Sequence, residues 1–210
     1  MATPAISRRV LILRHGESEW NAERRWQGWL DIPLSPRGEE QAAARARQLA
    51  RDMFRPRAIY SSDLQRAART AEILGGHLDV PVVTEGGFRE RNGGEWQGLT
   101  SEEIDERYPG MRLEWRHGKL PAPPGGELEE QVYARFDAAL LHALAHVGTG
   151  VLGIVTHHGV ARAAANRAGA DVHTLTPNLG GYWFGVDGGA LCDPEPLDTL
   201  HEDDERAAVE

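Results

Sequence analysis

The sequence predicts a single α/β domain, and three observations carry that prediction. Two apolar runs, Val10-Leu11-Ile12-Leu13 and Leu152-Gly153-Ile154-Val155, have the length of buried strands. The segments between and after them carry helical periodicity or capping signals. A chain of 210 residues with 40% hydrophobic content suffices for one substantial core, and no composition break marks a second.

The first run ends on Arg14-His15-Gly16-Glu17-Ser18-Glu19-Trp20-Asn21. In an open α/β sheet, ligands bind in the crevice at the carboxyl ends of the strands, so a cation and an imidazole are delivered to a mouth and not to the core. A lone strand-terminal histidine is more often a capping or packed residue than a nucleophile, and this motif by itself decides nothing.

Ser35-Pro36, with Glu39-Glu40 in the first turn and an alanine-rich run to about Asp52, predicts a helix with proline at its first position. Ala58–Tyr60 reads as a short strand. Ser62 with Gln65 three residues later gives capping-box spacing for the next helix. Arg66 then falls in its first turn, where free N–H groups and the positive dipole end favour an anion, and a guanidinium fork adds bidentate recognition. Arg69, a turn further on, reads as a solvated face. Val82–Thr84 is a second short strand. A glycine-rich loop follows, Phe88 to Leu99, in which Glu90 stands between Arg89 and Arg91, an arrangement that is usually a weak surface ion pair.

Leu128, Val132, Phe136, Leu140, Leu144 and Val147 recur at three or four, so residues 127–147 are expected to form a long amphipathic crossover helix. Gly148-x-Gly150-x-x-Gly153 spells a dinucleotide fingerprint but runs from helix into strand, the reverse of the required context, and reads as a loop. His142 and His146 have i, i+4 spacing without an obvious third ligand, so they read as exposed helix residues and no metal site is expected. The second apolar run again ends on histidine, Thr156-His157-His158-Gly159, and a small-residue helix follows from Ala161 to Ala168. Tyr182–Val186 is the expected last strand.

Four stretches, taken together, resemble one family. Arg14-His15-Gly16, Ser61-Ser62-x-Leu64-x-Arg66-Ala67-x-x-Thr70-Ala71, Glu90 ahead of Gly94-x-Trp96-x-Gly98, and Val155-Thr156-His157 are similar to the motifs of the histidine phosphatase superfamily, in its phosphoglycerate-mutase-like branch. The resemblance takes in Gln27-Gly28-x-x-Asp31-x-Pro33-Leu34-Ser35-x-x-Gly38-x-x-Gln41-Ala42 and covers roughly residues 8–186. It implies a three-layer sandwich with a mostly parallel central sheet flanked by helices. It implies that His15 is the nucleophile, that Arg14, Arg66 and His157 surround the transferring phosphoryl group, and that Glu90 donates the proton. Asn21, Gln27 and Gly28 are implied phosphate or substrate contacts. His158 stands where the branch usually has glycine and is grouped with them, its role open.

The chemistry asks for such residues. Phosphate-monoester hydrolysis is accelerated by up to ~10²¹-fold, so positioning and charge stabilisation must both contribute. Two guanidinium forks and an imidazole N–H can hold three equatorial oxygens, each donor contributing about 3 kcal/mol. A neutral imidazole is a competent nucleophile if its other nitrogen donates and fixes the tautomer. A neighbouring phosphate dianion would keep Glu90 protonated until the leaving oxygen takes its proton, after which the carboxylate could activate water. No metal or other cofactor is called for, since the arginines do the neutralising.

The same motifs occur in 2,3-bisphosphoglycerate-dependent phosphoglycerate mutases, which carry a longer insertion between the acid segment and the second histidine. The shorter cover here favours water as acceptor, hence hydrolysis of a small phosphorylated metabolite, a sugar phosphate or a phosphoglycerate-type ester. The look is similar to the small phosphatases of the branch, including those acting on glucosyl-3-phosphoglycerate. Trp96, Tyr108, Met111, Leu113 and Trp115 either face a bulky alcohol or pack under the loop, while Arg112, Arg116 and Lys119 are available for a carboxylate. Leu128 replaces the hydroxyl of the branch's usual Gly-Gly-Glu-Ser.

Most of the formal charge of −9 lies beyond the expected catalytic domain, residues 1–186. Residues 187–210 carry nine Asp or Glu against Arg206 alone and are expected to form a solvated acidic tail. The absence of a basic face argues against nucleic acid. Cys192 is alone, which suits a reducing cytoplasm. The four-residue apolar run before Arg14 is too short for a signal peptide or a membrane span. A homodimer is compatible with the sequence, which carries no signal for it.

Overall fold

The computed structural model describes residues 8–172 and 176–198. Six strands form one sheet in the order β3-β2-β4-β1-β5-β6. They are β1 Arg9–Arg14, β2 Ala58–Ser61, β3 Val82–Thr84, β4 Val151–Thr156, β5 Gly181–Asp187 and β6 Ala190–Pro196. The first four in that order are parallel, and β5 and β6 are added antiparallel. The helices are α1 Glu19–Ala22, α2 Pro36–Arg51, α3 Gln65–Leu78, α4 Ser101–Arg107, α5 Met111–Arg116, α6 Glu129–Val147 and α7 His158–Arg167.

The strand runs are apolar on both faces because both faces are covered. Val10 and Ile12 of β1 join Tyr60, Ile154 and Phe184 against Val132, Phe136 and Leu140 of α6 and Val160 and Ala164 of α7. Leu11 and Leu13, alternating to the other side, join Ile59 and Val155 against Ala46 and Leu49 of α2 and Ala67, Ala71 and Leu74 of α3. Each such large side chain contributes about 1.5–3 kcal/mol by burial. The result is the expected three-layer α/β sandwich. Its parallel strands all present their carboxyl ends to one edge.

Two expectations need correcting. The helix after β2 begins at Gln65 with Leu64 as an extended N-cap, not at Ser62. The Ser62 hydroxyl is engaged elsewhere, and Asp31 Oδ1 caps the helix from outside by accepting from the Gln65 N–H at 2.7 Å. The acidic terminus does not leave the fold at residue 187. Ala190-Leu191-Cys192, ahead of Asp193 and Glu195, let residues 190–196 pair as an edge strand, where Pro194 and Pro196 are tolerated. Leu191 and Leu197 pack against the two cores, and Arg45 holds the Asp198 carbonyl at 3.0 Å. Residues 199–210 lie outside the described residues. His142 and His146 are exposed residues of α6, as expected. His146 Nδ1 meets the Tyr60 hydroxyl at 2.5 Å, and His142 Nδ1 lies 3.5 Å from Glu85. Among the described residues, no group of three or more His, Cys, Asp or Glu is placed to hold a metal ion.

A satellite core caps the carboxyl edge of the sheet. Trp96, wholly buried, meets Trp26 and Trp115 edge-to-face at 5.3 and 5.9 Å, and Leu99, Ile104, Tyr108 and Met111 fill around them. The aromatics of this region therefore divide: Trp96, Tyr108 and Met111 build the cover, while Trp26 and Trp115 also line the cavity beneath it.

Candidate active site

Arg14 and Thr156 are register partners at the ends of adjacent parallel strands, so the residues that follow them emerge side by side. The His15 N–H extends the ladder by one rung to the Thr156 carbonyl at 2.9 Å. The rings of His15 and His157 stand edge to face with centroids 5.1 Å apart. Both are buried, with 3% and 1% of their surface exposed.

The tautomer of His15 follows from one contact. Its Nδ1 lies 2.6 Å from the Gly16 carbonyl, which only accepts, so Nδ1 carries the proton and Nε2 presents a lone pair. The turn is tight against α2 and α3. The Gly16 N–H donates to Thr70 Oγ1 at 3.1 Å, and a Cβ on Gly16 would stand 2.5 Å from the Gly38 carbonyl oxygen. Burial, then the charges of Arg66 and Arg14, hold His15 well below the usual imidazole range against the opposing Gly16 bond. For His157 burial again leads, followed by Arg66, His15, Arg135 and Arg14. Both rings are neutral at pH 7.

Arg66 donates to the Leu30 and Gly28 carbonyls at 2.9 and 2.8 Å, and Arg14 donates to the Thr176 carbonyl at 2.7 Å. Burial lowers both guanidinium groups to about 10, which leaves them charged. Each keeps a buried Nε without a partner among the described residues, as His157 does at Nδ1. Ser62 Oγ lies 2.9 Å from His157 Nε2 and itself accepts from the Leu64 N–H. Its hydroxyl proton can thus go to Nε2, which assigns the ring proton of His157 to the unpartnered Nδ1. Buried donors left over on three residues of one cavity are what an anion with several oxygens satisfies.

Glu90 reaches the same cavity from the loop after β3. Its Oε1 accepts from the Arg91 N–H at 2.8 Å, and Oε2 from the Gly159 N–H in the first turn of α7 at 3.0 Å. A Cβ at 159 would stand 2.5 Å from Oε1, so a larger residue there would have to push the carboxylate aside. Asn21 Oδ1 accepts from the Ser18 N–H, and Gln27 Oε1 from the Ser18 hydroxyl. Gly28 sits at φ +51°, and a Cβ would meet Gln97 at 2.1 Å. His158 Nδ1 accepts from the Thr176 N–H at 3.2 Å, which puts its proton on Nε2. Burial brings His158 down to about 4.

All nine predicted site residues line one cavity of about 1210 Å³. Of the three cations suggested for a carboxylate, Arg112 is occupied by Asp105, Lys119 is not among the lining residues, and Arg116 lines the wall without an ion pair among the described residues, as do Arg24 and Arg162. Sequence reading missed the strap Thr176-Pro177-Asn178. The Thr176 peptide bridges Arg14 and His158, and Asn178 Nδ2 donates to the His15 carbonyl at 3.0 Å and to Asn21 at 3.3 Å. Nothing periodic marks such a segment; only Pro177, ahead of β5, could have signalled a turn.

The buried neutral histidines set an expected pH dependence of stability. In the unfolded chain each takes up a proton at about pH 6.5, while the folded rings resist it, so below that pH the unfolded state binds more protons and stability falls. The slope is up to about 1.4 kcal/mol per pH unit per histidine. Urea midpoints measured from pH 7.5 down to 5 should decline once pH passes below about 6.5; a flat profile would contradict neutral burial.

Comparison with known proteins gives the lineage. The profile of the histidine phosphatase superfamily (branch 1) matches residues 10–177. A glucosyl-3-phosphoglycerate phosphatase of Mycolicibacterium vanbaalenii is 40% identical over 202 residues, covering 90% of this chain and 88% of that protein. A 2,3-bisphosphoglycerate-dependent phosphoglycerate mutase of Corynebacterium diphtheriae is 37% identical over 126 residues, covering 58% and 50%. The structure of a mycobacterial glucosyl-3-phosphoglycerate phosphatase in complex with VO3 superposes with a TM-score of 0.77 at 32% identity, covering 91% of this chain and 98% of that one. The chain belongs to the histidine phosphatase superfamily, branch 1.

Proposed function

We propose that this histidine phosphatase hydrolyses a small phosphate monoester in two displacements at His15. The observation that carries the reading is the neutral His15 imidazole, its Nε2 lone pair free in a cavity also lined by Arg14, Arg66 and His157. His15 Nε2 attacks phosphorus and the bond to the ester oxygen breaks. The Nε of Arg14, the Nε of Arg66 and the Nδ1–H of His157 take the charge spreading over the equatorial oxygens. Glu90 gives its proton to the leaving oxygen and then, ionised, accepts one from the water that cleaves the phosphohistidine. Asn21, Gln27, Gly28 and His158 complete the wall around the phosphate.

For the substrate we propose a phosphoglycerate-type ester, glucosyl-3-phosphoglycerate being the example that the relatives' names supply. Arg24, Arg116 and Arg162 support this choice, being cations in the wall of the same cavity without ion pairs among the described residues, suited to a carboxylate. The cytoplasm is the proposed setting, supported by the free thiol of Cys192; no described helix is long and apolar enough to cross a membrane.

A panel of phosphate monoesters tests the reading. The value of kcat/KM should be at least about 10-fold, or ~1.4 kcal/mol, higher for esters bearing a carboxylate than for those of neutral alcohols. Equal values would remove the carboxylate recognition. Isomerisation of phosphoglycerate dependent on 2,3-bisphosphoglycerate, in a coupled assay, would establish the mutase reaction instead.

A further inference from the structure

We propose that Arg135 is a positioning residue for Glu90, and that with Glu127 it braces the proton donor against the leaving oxygen. The inference rests on the acid role given to Glu90 above. Arg135 lies in the second turn of α6 and touches none of the reacting atoms. Its guanidinium reaches back under the acid loop, where Nη1 donates to the Gly87 and Arg89 carbonyls at 2.9 and 2.6 Å, and Nη2 to the Glu90 carbonyl at 2.9 Å. The fork is held in turn by Glu127, whose two oxygens lie 2.7 Å from Nε and 2.9 Å from Nη2. Side-chain exposure is 18% for Arg135 and 11% for Glu127, so the pair is largely withdrawn from water.

Glu127 extends the brace to the other side of the loop. Its carboxylate accepts from the Asn92 N–H at 3.1 Å, and its own N–H donates to the Asn92 carbonyl at 2.9 Å. The segment from Gly87 to Asn92 is thereby clamped at both ends around Glu90. Packing leaves no slack: a Cβ on Gly87 would stand 2.5 Å from the Ala139 side chain of α6. Among the described residues the carboxyl group of Glu90 is held by two backbone N–H groups, one of them in the same loop, so the loop's placement decides where the proton is delivered. A misplacement of about 1 Å is enough to cost on the order of 10²-fold in rate. An ordinary surface ion pair has no such arrangement, since it does not spend its donors on three carbonyls of a reacting segment.

The test compares kcat/KM for an alkyl ester, glycerol phosphate, with that for p-nitrophenyl phosphate, whose leaving group needs no proton. Arg135→Met should lose about 10²-fold on the alkyl ester and remain within about threefold of wild type on the aryl ester. The double variant Arg135→Met/Glu90→Gln should be no slower on the alkyl ester than Glu90→Gln alone, because residues acting through one another are non-additive. Equal losses on the two substrates, or additive losses in the double variant, would overturn the proposal. Should Arg135→Met fail to fold by near-ultraviolet circular dichroism, Glu127→Gln decides: the same preference for the aryl ester supports the brace, and its absence refutes it. An unchanged alkyl-to-aryl ratio in Glu90→Gln itself would instead remove the acid role from which the inference starts.

Discussion

Replacing His15 with alanine is expected to lower kcat by about 10⁵–10⁶-fold, as removal of a nucleophile does where no other side chain can substitute for it. At 1.36 kcal/mol per decade this corresponds to about 7–8 kcal/mol of barrier. Among the described residues, the other imidazoles at the cavity are poorly placed to replace it. His157 is assigned its proton on Nδ1 and is tied through Nε2 to Ser62, and His158 accepts from Thr176 through its Nδ1, the one lone pair its neutral ring has. Arg14 and Arg66 do not depend on His15 for their contacts, since they bond to the carbonyls of Thr176, Leu30 and Gly28. The variant should therefore keep its affinity for inorganic phosphate while losing turnover. Phosphate binding by calorimetry together with steady-state kinetics separates the two. More than about 1% residual turnover, two decades of rate against the five expected, would contradict the assignment.

Glu90→Gln should show its effect through the leaving group. General acid catalysis contributes about 10²–10⁴-fold, and only where the leaving oxygen needs the proton. The loss in kcat/KM is thus expected in that range for an alkyl phosphate and below about 10-fold for p-nitrophenyl phosphate. The choice of kcat/KM matters, because it reports phosphoryl transfer to the enzyme and is blind to the later hydrolysis. On the aryl ester, kcat and KM should fall together as loss of the base makes hydrolysis of the intermediate limiting. Glutamine retains a carbonyl oxygen for the Arg91 or Gly159 N–H, so the loop has little reason to move. Equal losses in kcat/KM on both esters would take Glu90 out of the acid role.

The scaffold was legible in the sequence where local chemistry and tertiary packing agree. Val82–Thr84 is predicted and observed to the residue, and the helix led by Ser35-Pro36 ends within a residue of its expected limit. Two apolar runs ending on histidine were enough to put His15 and His157 at the carboxyl edge of the sheet, where ligands bind; that β1 and β4 are neighbours is the structure's addition. What failed were features decided by partners distant in sequence. Ser62 has the spacing of a cap, but His157, 95 residues away, claims its hydroxyl. The acidic end of the chain looked too polar to pack, yet β5 offered an unpaired edge that Leu191 and Cys192 could join. The strap at Thr176 and Asn178 and the fork of Arg135 carry no periodic signature, since the bonds that matter run to segments distant in sequence, from Arg135 to the Arg89 carbonyl and from Asn178 to the His15 carbonyl.

The most direct test of a covalent route through His15 is to catch the intermediate. Glu90→Gln mixed with p-nitrophenyl phosphate should transfer phosphate faster than water removes it, so that a rapid quench into alkaline denaturant, where phosphohistidine survives, followed by peptide mass spectrometry, finds near-stoichiometric phosphate on His15. A burst of nitrophenol accompanied by phosphate on another side chain, or by none, would contradict the account.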